Sequence, residues 1–208
     1  MRRIRLTVAY DGTNYHGWQV QPGVVTIESV LNEALTELFG EEIAVIGASR
    51  TDSGVHARGN VAVFDTEGRM AADRICFALN QRLPEDIRVQ DSCEVPPDWH
   101  PRKQRCVKTY EYKIINRRME LPDGRLYTYF YYYNLDLERM RAAAACLLGE
   151  HDFKSFCSAK SQVEDTVRTI YGLDIIREGD EITLRIRGNG FLYNMVRIIA
   201  GTLLNVGN

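Results

Sequence analysis

The sequence predicts an α+β fold made of two similar α/β halves. Three observations carry this. Stretches with apolar residues at every second position alternate with stretches where they recur every three or four. The order strand, helix, strand returns in the second half of the chain. Between the halves, Pro96, Pro97 and Pro101 form the one dense proline stretch, which predicts domains at 1–100 and 101–208.

The elements follow in order. Residues 3–10 alternate strictly: Ile4, Leu6, Val8 and Tyr10 share one face, and Arg3, Arg5 and Thr7 the other. Asp11-Gly12 ends that strand. Thr26 is the expected N-cap of a helix whose apolar stripe is Ile27, Val30, Leu31, Ala34, Leu35 and Leu38, with Gly40 as its stop. Residues 43–48 and 61–65 read as strands flanking a polar, glycine-containing segment. Residues 71–83 read as a helix closed by Pro84, and 87–95 as a strand. In the second half, 107–115 and 127–133 are β-prone. An alanine-rich helix is expected over 137–148, capped by Asp136 and stopped by Gly149. Residues 167–177 and 181–187 read as strands joined by the turn Glu178-Gly179-Asp180. The apolar stretch 191–206 reads as a helix.

Composition narrows the function. The chain has 208 residues, 45% of them hydrophobic and 26% charged, which excludes disordered, collagen-like and minimal disulfide-scaffold classes. No apolar run reaches the roughly 18 residues of a membrane span. The basic start Met1-Arg2-Arg3-Ile4-Arg5 meets polar residues too soon for a secretory signal. The five cysteines are odd in number, lack CxxC spacing, and read as reduced thiols in a cytoplasmic protein. Neither a structural metal nor a cofactor is expected. Net charge is −2, yet residues 100–118 hold seven Lys/Arg against the single acid Glu111. Arg2, Arg3 and Arg5 form a second basic cluster. Such clusters fit phosphate contacts or a solvated face.

The densest polar segment lies between two expected strands, around 47–58. Asp52-Ser53-Gly54 fits an ordinary turn. It equally offers Asp52 as an ionised nucleophile or base, with Arg50 on the same side if the strand continues through it. His56 fits a hydrogen-bonding structural role. Tyr15, His16 and Trp18 fit either base stacking or loop packing.

Four stretches in order then carry a resemblance. Arg50-Thr51-Asp52-Ser53-Gly54-Val55-His56-Ala57 resembles the RTDxGVHA signature of the TruA family of tRNA pseudouridine synthases. Tyr10-Asp11-Gly12-Thr13-Asn14-Tyr15-His16-Gly17-Trp18-Gln19 is similar to its YDGTxYxGWQ segment. Lys108-Thr109-Tyr110-Glu111-Tyr112 is similar to its basic-Tyr-x-Tyr strand, and Gly190-Phe191-Leu192-Tyr193-Asn194-Met195-Val196-Arg197 to its FLxxMVR helix. The resemblance covers essentially the whole chain.

It implies the pseudouridine synthase fold, a central mostly antiparallel sheet with flanking helices and RRM/ferredoxin-like halves. It implies a cofactor-free isomerisation of uridine to pseudouridine at positions 38, 39 and 40 of the tRNA anticodon stem-loop. Asp52 would be the essential carboxylate, acting as a nucleophile or by removing the C2′ proton. Tyr110 would stack on the extracted base. Arg50 would steer the RNA and fill the vacated space. Arg197 would pair with the carboxylate, and an arginine buried in an apolar helix needs such a partner on physical grounds too. Arg58, Arg102, Lys103, Arg105 and Lys108 are candidates for RNA contact. The family implies a homodimer on one tRNA and no membrane. Ser49 and Ser53 replace the usual Gly and Ala, and the chain is expected to lack the family's last strand, which lines the uracil pocket. A non-catalytic RNA-binding module is the rival reading, although the RNP1 pattern is missing. A nucleoside isomerase is a second rival, and the basic segment speaks against it.

Overall fold

The computed structural model describes residues 1–159 and 163–208. The chain forms two compact units, Met1–Gln104 and Arg105–Asn208. Each has its own sheet and core.

In the first unit, β1 (Arg2–Tyr10), β2 (Ile46–Gly47), β3 (Ala57–Thr66) and β4 (Ile87–Val95) form an antiparallel sheet in the order β2-β3-β1-β4. The alternating residues of β1 bury Ile4, Leu6, Val8 and Tyr10 on one face. Helices α1 (Ile27–Phe39) and α2 (Ala72–Asn80) supply Ile27, Leu31, Leu35, Ile75 and Leu79 to the same core. Each such side chain removed from water contributes about 1.5–3 kcal/mol before conformational entropy is charged against it. Thr26 caps α1 through a reciprocal pair: the Ser29 N–H donates to Thr26 Oγ1 (3.2 Å) and the Thr26 N–H to Ser29 Oγ (3.0 Å). The helix ends at Gly40, as the periodicity predicts.

Two strands differ from expectation for local reasons. β2 is only two residues long because side chains of α1 take the preceding backbone donors. The Ile43 N–H donates to Thr36 and the Val45 N–H to Asn32. β3 starts at Ala57, four residues before the expected 61, since Ala57 and Asn60 pair with Tyr10 and Val8. Nothing in Arg58-Gly59-Asn60 alternates, so pattern alone missed the extension. Helix α2 is shorter than 71–83; the Arg82 and Leu83 N–H groups both turn back to Leu79.

In the second unit, β5 (Lys108–Asn116), β6 (Tyr129–Tyr131), β7 (Gly149–Asp152), β8 (Val167–Glu178) and β9 (Glu181–Gly188) form a sheet in the order β6-β5-β9-β8-β7. All pairs are antiparallel except β5 with β6. Helices α3 (Leu137–Ala145) and α4 (Met195–Gly207) bury Met140, Ala144, Ile199, Leu203 and Leu204 with Ile182, Leu184 and Ile186 of β9. Asp136 caps α3 as expected, its Oδ1 accepting from the Glu138 and Arg139 N–H groups. The helix stops at Ala145, three residues short of 148, and Gly149 opens β7 instead. That strand was not expected: Gly-Glu-His-Asp is polar and exposed throughout. A short 3₁₀ turn follows at Lys154–Phe156. Helix α4 begins at Met195, not 191, because Asn194 adopts left-handed backbone angles immediately before it.

Candidate active site

Residues 48–56 connect β2 to β3, and almost every turn of this loop is tied down. The Ala48 N–H donates to Val61 O (2.7 Å). The Asp52 carbonyl accepts from the Val55 N–H (3.1 Å), closing a tight turn that leaves Asp52 half-buried. The Gly54 N–H and Ser53 Oγ both donate to Tyr15 O, each at 3.3 Å. The Thr51 carbonyl accepts from the Trp18 N–H (3.0 Å), and its hydroxyl lies 2.8 Å from that of Tyr10. The segment 10–19 is therefore the frame of the loop, which explains why two motifs so far apart in sequence occur together.

The frame rests on close packing. A Cβ on Gly17, whose φ is +83°, would stand 2.6 Å from Thr51 O, so only glycine lets the two segments meet. Tyr15 and Trp18 are buried, and their role here is packing; His16 is exposed. The Tyr15 hydroxyl donates to Asp86 (2.6 Å), and burial together with that carboxylate raises its phenol well above the ordinary tyrosine range. The carbonyls of Gly17 and Trp18 accept the first N–H groups of α1, from Ile27 and Glu28. Nδ1 of His56 lies 3.1 Å from the Gly12 N and 2.9 Å from Asp11 Oδ1. A neutral Nδ1 accepts from the first, and a protonated Nδ1 donates to the second. Either form ties the end of the loop to the Asp11-Gly12 turn, the structural role expected of His56.

Arg50 and Asp52 sit in the loop, since β2 ends at Gly47. The expected strand continuation that would place them on one side does not occur. Arg50 and Arg58 are exposed. Arg102 reaches back along the unit, its Nε donating to Gly47 O (2.9 Å); Lys103 is exposed.

In the second unit, Lys108, Tyr110 and Tyr112 alternate onto one face of β5. The Tyr110 ring meets Phe191 edge-on, with centroids 5.0 Å apart and planes at 68°. Phe191 lies in the turn before α4, so the Tyr-x-Tyr strand and the FLxxMVR motif are physically joined. Arg197 follows in the first turn of α4. The expectation that it is buried fails: Met195, Ile199 and Leu203 face the core, and Arg197 falls on the opposite, exposed side. Burial pushes the Tyr112 phenol up, and the positive charge of Arg197 partly opposes that rise.

The basic clusters are smaller than their sequence suggests. Arg2, Arg3 and Arg5 pair with Glu94, Asp65 and Asp91 at 2.6–2.8 Å across the first sheet. Lys113 pairs with Glu181 and Arg117 with Asp180. Lys103, Arg105 and Arg118 remain exposed. Among the described residues, no group of three or more His, Cys, Asp or Glu side chains could hold a metal ion. No described helix is long and apolar enough to cross a membrane.

Three supporting residues escaped the sequence reading: Asn60, Gly47 and Phe191. The Asn60 amide donates to Ser49 O and the Tyr10 hydroxyl. Gly47 makes room for the Trp18 indole. Phe191 packs on Tyr110. Only Phe191 carried a signal, as part of a motif.

A family model described as tRNA pseudouridine synthase matches residues 6–102 and 143–208. Among curated relatives, tRNA pseudouridine synthase A of Halalkalibacterium halodurans is 50% identical over 208 residues, covering 100% of this chain and 79% of that protein. The Brevibacillus brevis protein of the same name is 48% identical over 207 residues, covering 100% and 85%. That of Thermoanaerobacter sp. is 46% identical, with the same coverage. The chain belongs to the tRNA pseudouridine synthase family.

Proposed function

We propose that this chain converts uridine to pseudouridine at positions 38, 39 and 40 of the tRNA anticodon stem-loop, with Asp52 as the catalytic carboxylate. The observation that carries the reading is the loop around Asp52. It bears the family signature, and its backbone is fixed on both sides of the carboxylate by Thr51 and Val55.

The reaction exchanges one glycosidic bond for another. N1–C1′ breaks, the uracil turns, C5–C1′ forms, N1 gains a proton and C5 loses one. No redox change occurs. An ionised aspartate suits it as nucleophile at carbon or as base toward the C2′ proton. Asp has an intrinsic pKa near 4, so Asp52 needs no special activation to be ionised at neutral pH. Tyr110 is the ring that stacks on the extracted base, and Phe191 holds that ring in place. Arg50, exposed on the loop, occupies the space the base leaves. Arg197, on the exposed side of the first turn of α4, is the partner that the family signature implies for that carboxylate.

Taking a uridine from a stacked stem costs a few kcal/mol. Contacts from Arg58, Arg102, Lys103, Arg105 and Lys108 to phosphates would offset that cost. Arg102 also holds Gly47 O, so its contribution is divided. Two copies of the chain on one tRNA would lengthen the cationic surface of a protein whose net charge is −2. The cytoplasm is the proposed setting of this reaction.

The test is tritium release from tRNA carrying C5-tritiated uridine, comparing the parent with Asp52→Asn at matched folding. Release by the parent alone supports the reading. Release by both removes Asp52 from the chemistry, and tRNA binding without release by either favours a binding module.

A further inference from the structure

The Asp52 loop is held from behind by two buried polar side chains that no motif assigns to the reaction. Tyr10 and Asn60 are 4% and 8% exposed, so their polar atoms must find partners inside the protein. Nδ2 of Asn60 donates to Ser49 O (3.0 Å) and to the Tyr10 hydroxyl (3.4 Å), which uses both amide hydrogens. The Tyr10 oxygen is thus an acceptor toward Asn60, and it shares a second hydrogen bond of 2.8 Å with Thr51 Oγ1, which either hydroxyl can donate. The register of β1 against β3 shifts between Val8 and Tyr10, where one extra residue of β3 sets Tyr10 opposite Ala57, the residue at which the loop ends. The residues on either side of Arg50 are fixed by this chain of hydrogen bonds. The second of them, Thr51, is also the residue before Asp52.

We propose that Tyr10 and Asn60 are positioning residues for the isomerisation, acting through Ser49 and Thr51 to set where Arg50 and Asp52 stand. The proposal rests on Asp52 being the reacting carboxylate. Its physical basis is that reacting groups misplaced by about 1 Å lose on the order of a hundredfold in rate. Buried hydrogen bonds can hold a loop to that tolerance where packing alone leaves it free to slide.

Tyr10→Phe removes one oxygen and keeps the ring that lies 5.9 Å from Trp18. The expected result is a kcat lower by roughly tenfold to a hundredfold, with KM for tRNA within about twofold. Thr51→Val should match it, Thr51→Ser should restore most of the loss, and the double variant should be no worse than either single one. Amide hydrogen exchange, which needs no turnover, should quicken at residues 49–52 in Tyr10→Phe and stay unchanged in the middle of β1. A parent-like kcat in Tyr10→Phe overturns the proposal, as does unchanged exchange in the loop. Asp52→Asn is run alongside. An inactive Asp52→Asn with a normal Tyr10→Phe removes the positioning role alone, whereas an active Asp52→Asn removes the assignment on which it stands.

Discussion

The indole of Trp18 lies against the backbone of Gly47 so closely that a Cβ added there would stand 2.4 Å from Nε1. Trp18 is among the largest fully buried side chains of the first unit, and it cannot move aside. Gly47→Ala should therefore cost about 1–3 kcal/mol, the usual penalty of overpacking. Urea unfolding measures it. Because the Gly47 carbonyl also accepts from Arg102, the same substitution should disturb the segment that follows β4. An unchanged midpoint would mean that the tryptophan has room to yield.

The Tyr110–Phe191 contact makes a prediction of the opposite kind, large in activity and modest in stability. An edge-to-face pair contributes about 0.5–1.5 kcal/mol beyond the area it buries. Phe191→Ala should lower kcat at least tenfold by freeing the Tyr110 ring. Phe191→Tyr keeps an aromatic edge and should retain most activity. Equal effects from both substitutions would show that ring packing is not what Tyr110 requires.

Lys103 and Arg105 are exposed cations with no carboxylate partner among the described residues, unlike Arg3 or Lys113. Replacing both with alanine should weaken tRNA binding evenly across tRNA species. It should also flatten the slope of log K against log salt by about 1–2. Filter binding at several salt concentrations reads this directly. Replacing Arg3 instead should leave the slope alone and lower stability.

Stability should fall on the acid side. The Arg3 guanidinium holds the Asp65 carboxyl below the usual range, and the Lys113 ammonium does the same to Glu181. A carboxylate with a depressed native pKa binds fewer protons folded than unfolded. Its contribution is complete above the unfolded pKa of roughly 4 and disappears as pH falls through the lower native value. Thermal midpoints should be level at neutral pH and drop below about pH 4. Glu181→Gln should shrink that drop by no more than about 1 kcal/mol, since the pair is partly exposed and water screens it. A midpoint that rises on acidification would reverse the assignment.

The fold was legible wherever burial imposed a period. Ile87–Val95 matches the expected strand residue for residue, and α1 matches at both ends because Thr26 and Gly40 are chemically distinctive. It was illegible where hydrogen bonds replaced burial. Gly149–Asp152 is a fully exposed edge strand, held by pairing with β8, and leaves no apolar trace. Residues 43–45 look like a strand, yet side chains from α1 take the backbone donors at 43 and 45. The site divides in the same way. Asp52 and Tyr110 stood out through their motifs. Asn60 did not, because a single buried amide has no sequence period and declares itself only through its partners. The burial expected of Arg197 came from reading 191–206 as uniformly apolar, whereas the helix presents one wet side.

The loop around Asp52 has its anchors within its own unit: Tyr10, Tyr15, Trp18, Asn60 and Val61. It is therefore shaped before any RNA arrives. Ordering a free loop on binding would cost on the order of 1 kcal/mol or more per residue, subtracted from whatever the phosphates contribute. Here that entropy was surrendered during folding. Under the proposed function, the contact free energy of an incoming stem-loop is left to work against base stacking, which the protein cannot settle in advance.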